Sequence, residues 1–266
     1  MIDWMRIGGV LSLVTVVSLI LIPIQAIGLY FDLPYRRWLP GYWHRLSCRL
    51  LGIRIHVHGG IDRRRPLLLA ANHASWTDIL ILGAIADVVF IAKTEVAGWP
   101  IFGLLAKLQK TIFVAREEKR RAGEQVNEIA TRMADGEVVV LFPEGTTSDG
   151  NRLLEVKSSL FGAAASARSL APDGVVYVQP LAIAYTKVYG MPMGRYHRPI
   201  AAWPGDIELL PHLVGILKAG AIDVDVSFGP PVEFHAGDNR KALSTRIEAD
   251  IRTMLLEHLR GRRSSD

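Results

Sequence analysis

Residues 7–31 contain no charged side chain, and that run constrains the chain more than any other feature. As one continuous helix its 25 residues reach roughly 37 Å, more than the roughly 30 Å hydrocarbon thickness of a bilayer. Membrane attachment follows. Pro23 interrupts the run, and residues 7–22 alone reach only about 24 Å, which leaves a crossing, a kinked helix and a shallow or re-entrant one all open. A cleaved signal peptide fits poorly, because Ile24-Gln25-Ala26 lacks small residues at both required places. Arg36, Arg37, Arg45 and Arg49 follow the run whereas only Arg6 precedes it. The positive-inside rule then puts the following domain on the cytoplasmic face of the cell (inner) membrane.

The chain has 266 residues, half of them hydrophobic, enough for one sizeable domain plus an appendage. Cys48 is its single cysteine, which excludes an intrachain disulfide and a metal–thiolate cluster. The net charge of +5 is modest, but arginines crowd into residues 36–65 and 116–121. They suit anionic lipid heads or an acidic carrier, and no nucleic-acid reading motif accompanies them. Over residues 35–52, Trp38, Tyr42, Trp43, Leu46 and Leu50 interleave with Arg37, His44, Arg45 and Arg49 at roughly helical spacing. That pattern fits an amphipathic interfacial helix at headgroup level and equally a helix packed on the domain.

After Gly52 short β-rich runs alternate with helical stretches. Strands are predicted at 53–58, 67–71, 88–92, 111–115, 138–142, 176–184 and 222–228, and helices at 77–86, 100–110, 117–134, 157–169, 207–218 and 240–259. Runs such as Val138-Val139-Val140-Leu141-Phe142 are apolar throughout, as in strands covered on both faces. The alternation predicts an α/β domain with a central mixed β-sheet flanked by helices. The expected organisation is a membrane-anchoring segment at 1–52, a catalytic domain at 53–260 and a polar tail at 261–266.

Two clusters carry chemistry. Asn72-His73-Ala74-Ser75-Trp76-Thr77-Asp78 follows an apolar strand and enters a helix, so the loop can fold the Asp78 carboxylate back onto the His73 imidazole. Such a contact sets the tautomer and frees the other ring nitrogen to take a proton from a hydroxyl, a role worth about a hundred to ten thousandfold in rate. The alternative is that Asp78 only caps a helix and His73 is a turn residue. Phe142-Pro143-Glu144-Gly145-Thr146-Thr147-Ser148 places a lone glutamate on a Pro/Gly turn after a second apolar strand. His56 and His58 share one side of a candidate strand, but no acidic or histidine partner stands at metal-site spacing, so packing histidines and no metal are expected.

These residues resemble the glycerolipid acyltransferase superfamily, whose four sequence blocks recur here in order across residues 72–182. Asn72-His73 through Asp78 matches the first block, the family's His-X4-Asp. Thr111-Ile112-Phe113-Val114-Ala115-Arg116 is similar to the second, Phe142-Pro143-Glu144-Gly145-Thr146 to the third, and Val178-Gln179-Pro180-Leu181-Ala182 to the fourth. The resemblance implies transfer of a fatty acyl group from an acyl carrier protein or coenzyme A thioester to the hydroxyl of a lysolipid at the membrane face. No other cofactor is implied. It further implies His73 as base and Asp78 as its orienting acid, with Arg116 at an anionic headgroup. Glu144, Gly145 and Thr146 would lie at the acceptor's polar part.

One departure bears on the acceptor. Lysophosphatidate enzymes often carry arginine after the Glu-Gly-Thr, where this chain has Thr147. The segments 93–100 and 146–152 resemble bacterial enzymes that acylate lyso-ornithine lipid. Arg152 and Lys157 are the basic residues available to replace the missing charge, and Lys93 matches a basic residue found after the first block in relatives, the alternative being an exposed lysine at a strand end. Lyso-ornithine lipid and 1-acylglycerol-3-phosphate are both kept as acceptors. A serine hydrolase would need a nucleophile elbow, and Thr146-Thr147-Ser148-Asp149-Gly150 has threonine where its first glycine belongs. A non-catalytic lipid-binding scaffold is the remaining alternative.

Overall fold

The computed structural model of the chain describes residues 2–115, 119–205 and 207–261. Helix α1, Ile2–Tyr30, continues through Pro23, so the expected interruption is absent. It leads to α2, Leu39–Leu51, which stops at Gly52 in the left-handed conformation. A side chain at Gly52 would place its Cβ 1.8 Å from the Gly220 carbonyl oxygen, which explains the glycine at that junction. The α/β body follows with β1 Ile53–His58, β2 Leu67–Ala71, α3 Thr77–Ile85, β3 Val89–Lys93, α4 Phe102–Leu108, β4 Ile112–Val114, α5 Lys119–Ala134 and β5 Val139–Leu141. It continues with α6 Gly162–Ala167, β6 Val176–Val188, β7 Met191–Pro192, α7 Gly194–His197, α8 Leu209–Ala219, β8 Ile222–Phe228, β9 Val232–Phe234 and α9 Arg240–Leu259.

The strands form one mixed sheet in the order β1-β8-β6-β2-β5-β3-β4, with β7 and β9 also paired to β6. The expected strand at 176–184 extends to Val188 because β6 has partners along its whole length, β2 on one side and β9 then β8 on the other. Strands β7 and β9, two and three residues long, lie outside the predicted runs. The expected helix at 157–169 is a 3₁₀ turn, Ser158–Phe161, followed by the six residues of α6.

Strand β2 pairs parallel with β5 and β6, and β3 pairs parallel with β5 and β4. The carboxyl ends of these five strands therefore lie along one edge, the place where open α/β sheets bind ligands. All five residues of β2 are buried. Leu67, Leu69 and Ala71 join the core beneath α2, α3 and α8, whereas Leu68 and Ala70 join the core beneath α5, α6 and α9. Burial on both faces is the physical reason for an uninterrupted apolar run.

Helix α1 is apolar all round, yet only one stripe packs on the body. Ile7, Val10, Val14, Ser18, Leu21, Gln25 and Gly28 are buried or half-buried at intervals of three and four, while Leu11, Leu13, Val16, Leu19, Ile20, Ile24 and Ile27 are exposed. Polar contacts fasten the stripe along its length. The Arg6 guanidinium donates to the Leu217 carbonyl at the end of α8 (2.7 Å), Trp43 Nε1 donates to Ser18 Oγ (2.8 Å), and Gln25 Nε2 donates to the Arg36 and Leu108 carbonyls (2.9 and 3.0 Å). By length and composition the stretch Trp4–Tyr30 is sufficient to cross a membrane. Residues 262–266, most of the expected tail, lie outside the described residues.

Candidate active site

The sharp exit of the chain from β2 begins at Asn72. Its side-chain amide continues the sheet ladder beyond the last strand residue, donating to the Ile183 carbonyl (2.9 Å) and accepting from the Ile183 N–H (2.7 Å). The main chain is thereby freed to turn away. The loop 73–76 then enters α3, and Asp78 in the first turn of that helix organises it. Asp78 Oδ2 accepts from His73 Nδ1 (2.7 Å), from the Ala74 N–H (2.8 Å) and from the Ser75 N–H (3.0 Å). Oδ1 accepts from the Tyr185 hydroxyl (2.6 Å), which also contacts Thr77 Oγ1 at 2.6 Å. Asp78 is fully buried, beside the positive end of α3. Capping the loop and orienting the histidine are thus one role of one carboxylate.

A carboxylate can only accept, so Nδ1 carries the proton and a neutral His73 ring keeps its lone pair on Nε2. The ring stacks on Phe142, centroids 4.0 Å apart and planes 16° from parallel, and is 18% exposed. No hydrogen bond among the described residues engages Nε2.

The third-block turn clasps the same loop from the end of β5. Glu144 is 1% exposed, with Oε1 accepting from the His73 N–H and Oε2 from the Leu154 N–H, both at 2.7 Å. Ser148 N–H donates to the His73 carbonyl (2.8 Å). Burial pushes the Glu144 carboxyl up to about 7, while the two backbone donors pull the other way. The expectation that Glu144 meets an acceptor needs correction: its carboxylate is enclosed and committed to backbone, so it buttresses the histidine loop. Gly145 takes a positive φ of 72° at the turn, a conformation open to glycine at little cost.

Thr146 is exposed beside this turn. Lys93 is exposed at the carboxyl end of β3, and Arg152 and Lys157 are exposed in the segment that follows the β5 turn. Arg116 lies outside the described residues, two positions beyond the end of β4.

Two residues that the sequence did not advertise matter here. Tyr185 directly follows an apolar strand stretch, Leu181 to Ala184, and its fully buried hydroxyl is the feature that marks it as a partner for something polar. Arg198 is 4% exposed, donates to the Tyr185 carbonyl (3.2 Å) and bonds Asn151, tying the loop after the third block to β6. Toward α1, Trp76 meets Phe102 of α4 edge to face at 6.5 Å and hydrogen-bonds His212 at 3.0 Å. The histidine loop is thus joined to the helix whose Leu108 carbonyl holds Gln25 of α1.

Comparison with known proteins agrees with this arrangement. The acyltransferase family profile matches residues 54–184, which hold all four blocks. The chain is 62% identical over its full length to a lyso-ornithine lipid O-acyltransferase of Rhizobium meliloti (strain 1021), of which it covers 91%. It is 50% identical over 98% of its length to one of Brucella abortus (strain 2308), of which it covers 98%. A 1-acyl-sn-glycerol-3-phosphate acyltransferase of Neisseria gonorrhoeae is 30% identical over 74% of this chain and 75% of its own. In fold the chain is similar to the crystal structure of the 1-acyl-sn-glycerophosphate acyltransferase of Thermotoga maritima, with a TM-score of 0.67 and 19% identity over 99% of this chain and 100% of that one. With the motif blocks gathered at one sheet edge and relatives matching from end to end, the chain belongs to the acyltransferase family.

Proposed function

We propose that this acyltransferase is a lysolipid O-acyltransferase that takes its acyl group from an acyl carrier protein or coenzyme A thioester, with lyso-ornithine lipid as acceptor. The observation that carries the chemistry is the 2.7 Å bond between His73 Nδ1 and a buried Asp78 saturated by three further donors. His73 Nε2 takes the proton of the acceptor hydroxyl as its oxygen attacks the thioester carbonyl. The tetrahedral intermediate then expels thiolate, which recovers the proton from the imidazolium, so the ester forms and histidine returns to its starting state. Asp78 stabilises the imidazolium between the two steps and holds the ring in the productive tautomer. Arg116 and the exposed Lys93, Arg152 and Lys157 bind the polar ends of the substrates, where Arg116 offers a planar fork to carboxylate or phosphate.

The site works at the cytoplasmic face of a membrane. Support comes from the exposed face of α1, the exposed Trp38 and Tyr42 beside it, and Ile101 and Leu104 at the start of α4, 72% and 48% exposed. Apolar surface of this extent on a basic chain suits insertion into a leaflet.

Two relatives that match nearly the whole chain carry lyso-ornithine lipid in their names, and Thr147 stands where an arginine would meet phosphate. The relatives named for 1-acylglycerol-3-phosphate make that acceptor the second reading. Membranes carrying the chain should be incubated with labelled acyl carrier protein or acyl-coenzyme A and each lysolipid, and the products identified. Ornithine lipid formed faster than phosphatidate is the expected result. The reverse preference transfers the assignment to the second reading, and no product with any pair sinks both.

A further inference from the structure

On the sheet face turned away from α2, α3 and α8, the protein carries a cluster that the chemistry above does not use. Strand β8 sends Ile222, Val224 and Val226 into the core beneath α2, α3 and α8, so Asp223, Asp225 and Ser227 lie on the opposite face. Strand β1 runs parallel beside it, and its His56 and His58 meet those carboxylates: His56 Nε2 lies 3.0 Å from Asp223 Oδ1 and His58 Nε2 lies 2.8 Å from Asp225 Oδ1. His258, one residue before the end of α9, adds a third side chain, with Nδ1 3.8 Å from the same Asp225 oxygen. The partners that sequence spacing failed to supply for His58 therefore come from positions 225 and 258.

The geometry points to a zinc-class divalent cation site formed by His58, Asp225 and His258. Their ligand atoms all lie within 4.8 Å of one another. Ligands on a tetrahedral zinc ion stand roughly 3.3 Å apart, a value that the 2.8 and 3.8 Å separations bracket. The outer contacts are those such a site requires. Asp225 Oδ2 accepts from Thr186 Oγ1 (2.7 Å), which leaves Oδ1 to face the histidines, and His258 Nε2 bonds Ser227 Oγ (2.5 Å), which leaves Nδ1 as the ligand atom. His58 is 46% exposed, giving the ion an entry path and room for water in the fourth position. Two imidazoles and one carboxylate suit zinc and its transition-metal neighbours rather than calcium or magnesium. The ion replaces the hydrogen bond between His58 and Asp225, releasing its proton, and fastens the edge strand β1 to β8 and to the end of the last helix.

The test uses the full chain carrying no histidine tag, stripped with chelator and titrated calorimetrically with zinc chloride, with cobalt absorption as a second readout. One zinc per chain is expected. His58→Ala and His258→Ala should each weaken binding by about tenfold or more, while His235→Ala, at an exposed histidine elsewhere, leaves it unchanged. Zinc should raise Tm in the parent and not in His58→Ala. Circular dichroism verifies that each variant is folded, and Asp225→Asn replaces any histidine variant that is not. Equal zinc binding by the parent and the folded variants would show that the cluster is only a hydrogen-bonded surface network and overturn the assignment.

Discussion

Two histidine–aspartate pairs in this molecule have nearly the same bond, 2.7 Å for His73 with Asp78 and 2.8 Å for His58 with Asp225. Their surroundings differ. Asp78 is fully buried and takes four donors, two of them backbone N–H groups of the loop it organises, so its histidine has one orientation and one tautomer. Asp225 is partly exposed and turns one oxygen toward two histidines that come from separate elements. A saturated, buried carboxylate builds a general base. A partly exposed one shared between two imidazoles offers room for a cation. The hydrogen-bond distance alone would not separate the two; the number and origin of the donors does.

The contrast can be broken at its strongest point by His73→Ala, which should lower kcat/KM about a thousandfold while leaving the chain folded. Normal turnover in that variant would put the chemistry elsewhere. Asp78→Asn should cost about a hundredfold or more, because an amide can donate toward Nδ1 and no longer enforces the productive tautomer. Tyr185→Phe sharpens the same comparison, since it removes one donor to Asp78 without touching substrate. About a tenfold fall in kcat is expected, with KM unchanged. A change confined to KM would mean that Tyr185 acts on binding instead.

The smallest effect is one of pH. Buried Glu144 holds its proton up to about 7, whereas an ordinary glutamate releases it near 4.5. Between those values the folded chain binds more protons than the unfolded one, so this group's contribution to stability declines as pH rises through the window and levels off above it. Thermal melts of the parent and Glu144→Gln from pH 5 to 8 should therefore diverge in slope, the variant lacking that decline. Parallel curves would remove the titration from Glu144.

Legibility in the sequence tracked the distance over which a feature is encoded. The His73–Asp78 contact spans five residues and one strand-to-helix turn, so its geometry was readable. Strands β1, β2 and β8 emerged with their boundaries because their patterns, alternating in β1 and β8 and wholly apolar in β2, end abruptly at glycine or asparagine. Tyr185 stayed hidden because its partner is 107 residues away. Glu144 was misjudged for a similar reason: a glutamate in a motif loop looks available until Leu154 and His73 are seen closing over it.

By itself the chain's order of residues determined the periodicities, the apolar N-terminal helix, the α/β alternation and the local histidine–aspartate pair, all set by neighbours within a few turns. Only the tertiary structure decided which stripe of α1 packs inward, because a helix apolar on every side carries no internal preference. It also decided which strands flank β6 and which carboxylates His56 and His58 meet. Those choices depend on contacts between distant segments, and their energies arise only when the segments are brought together.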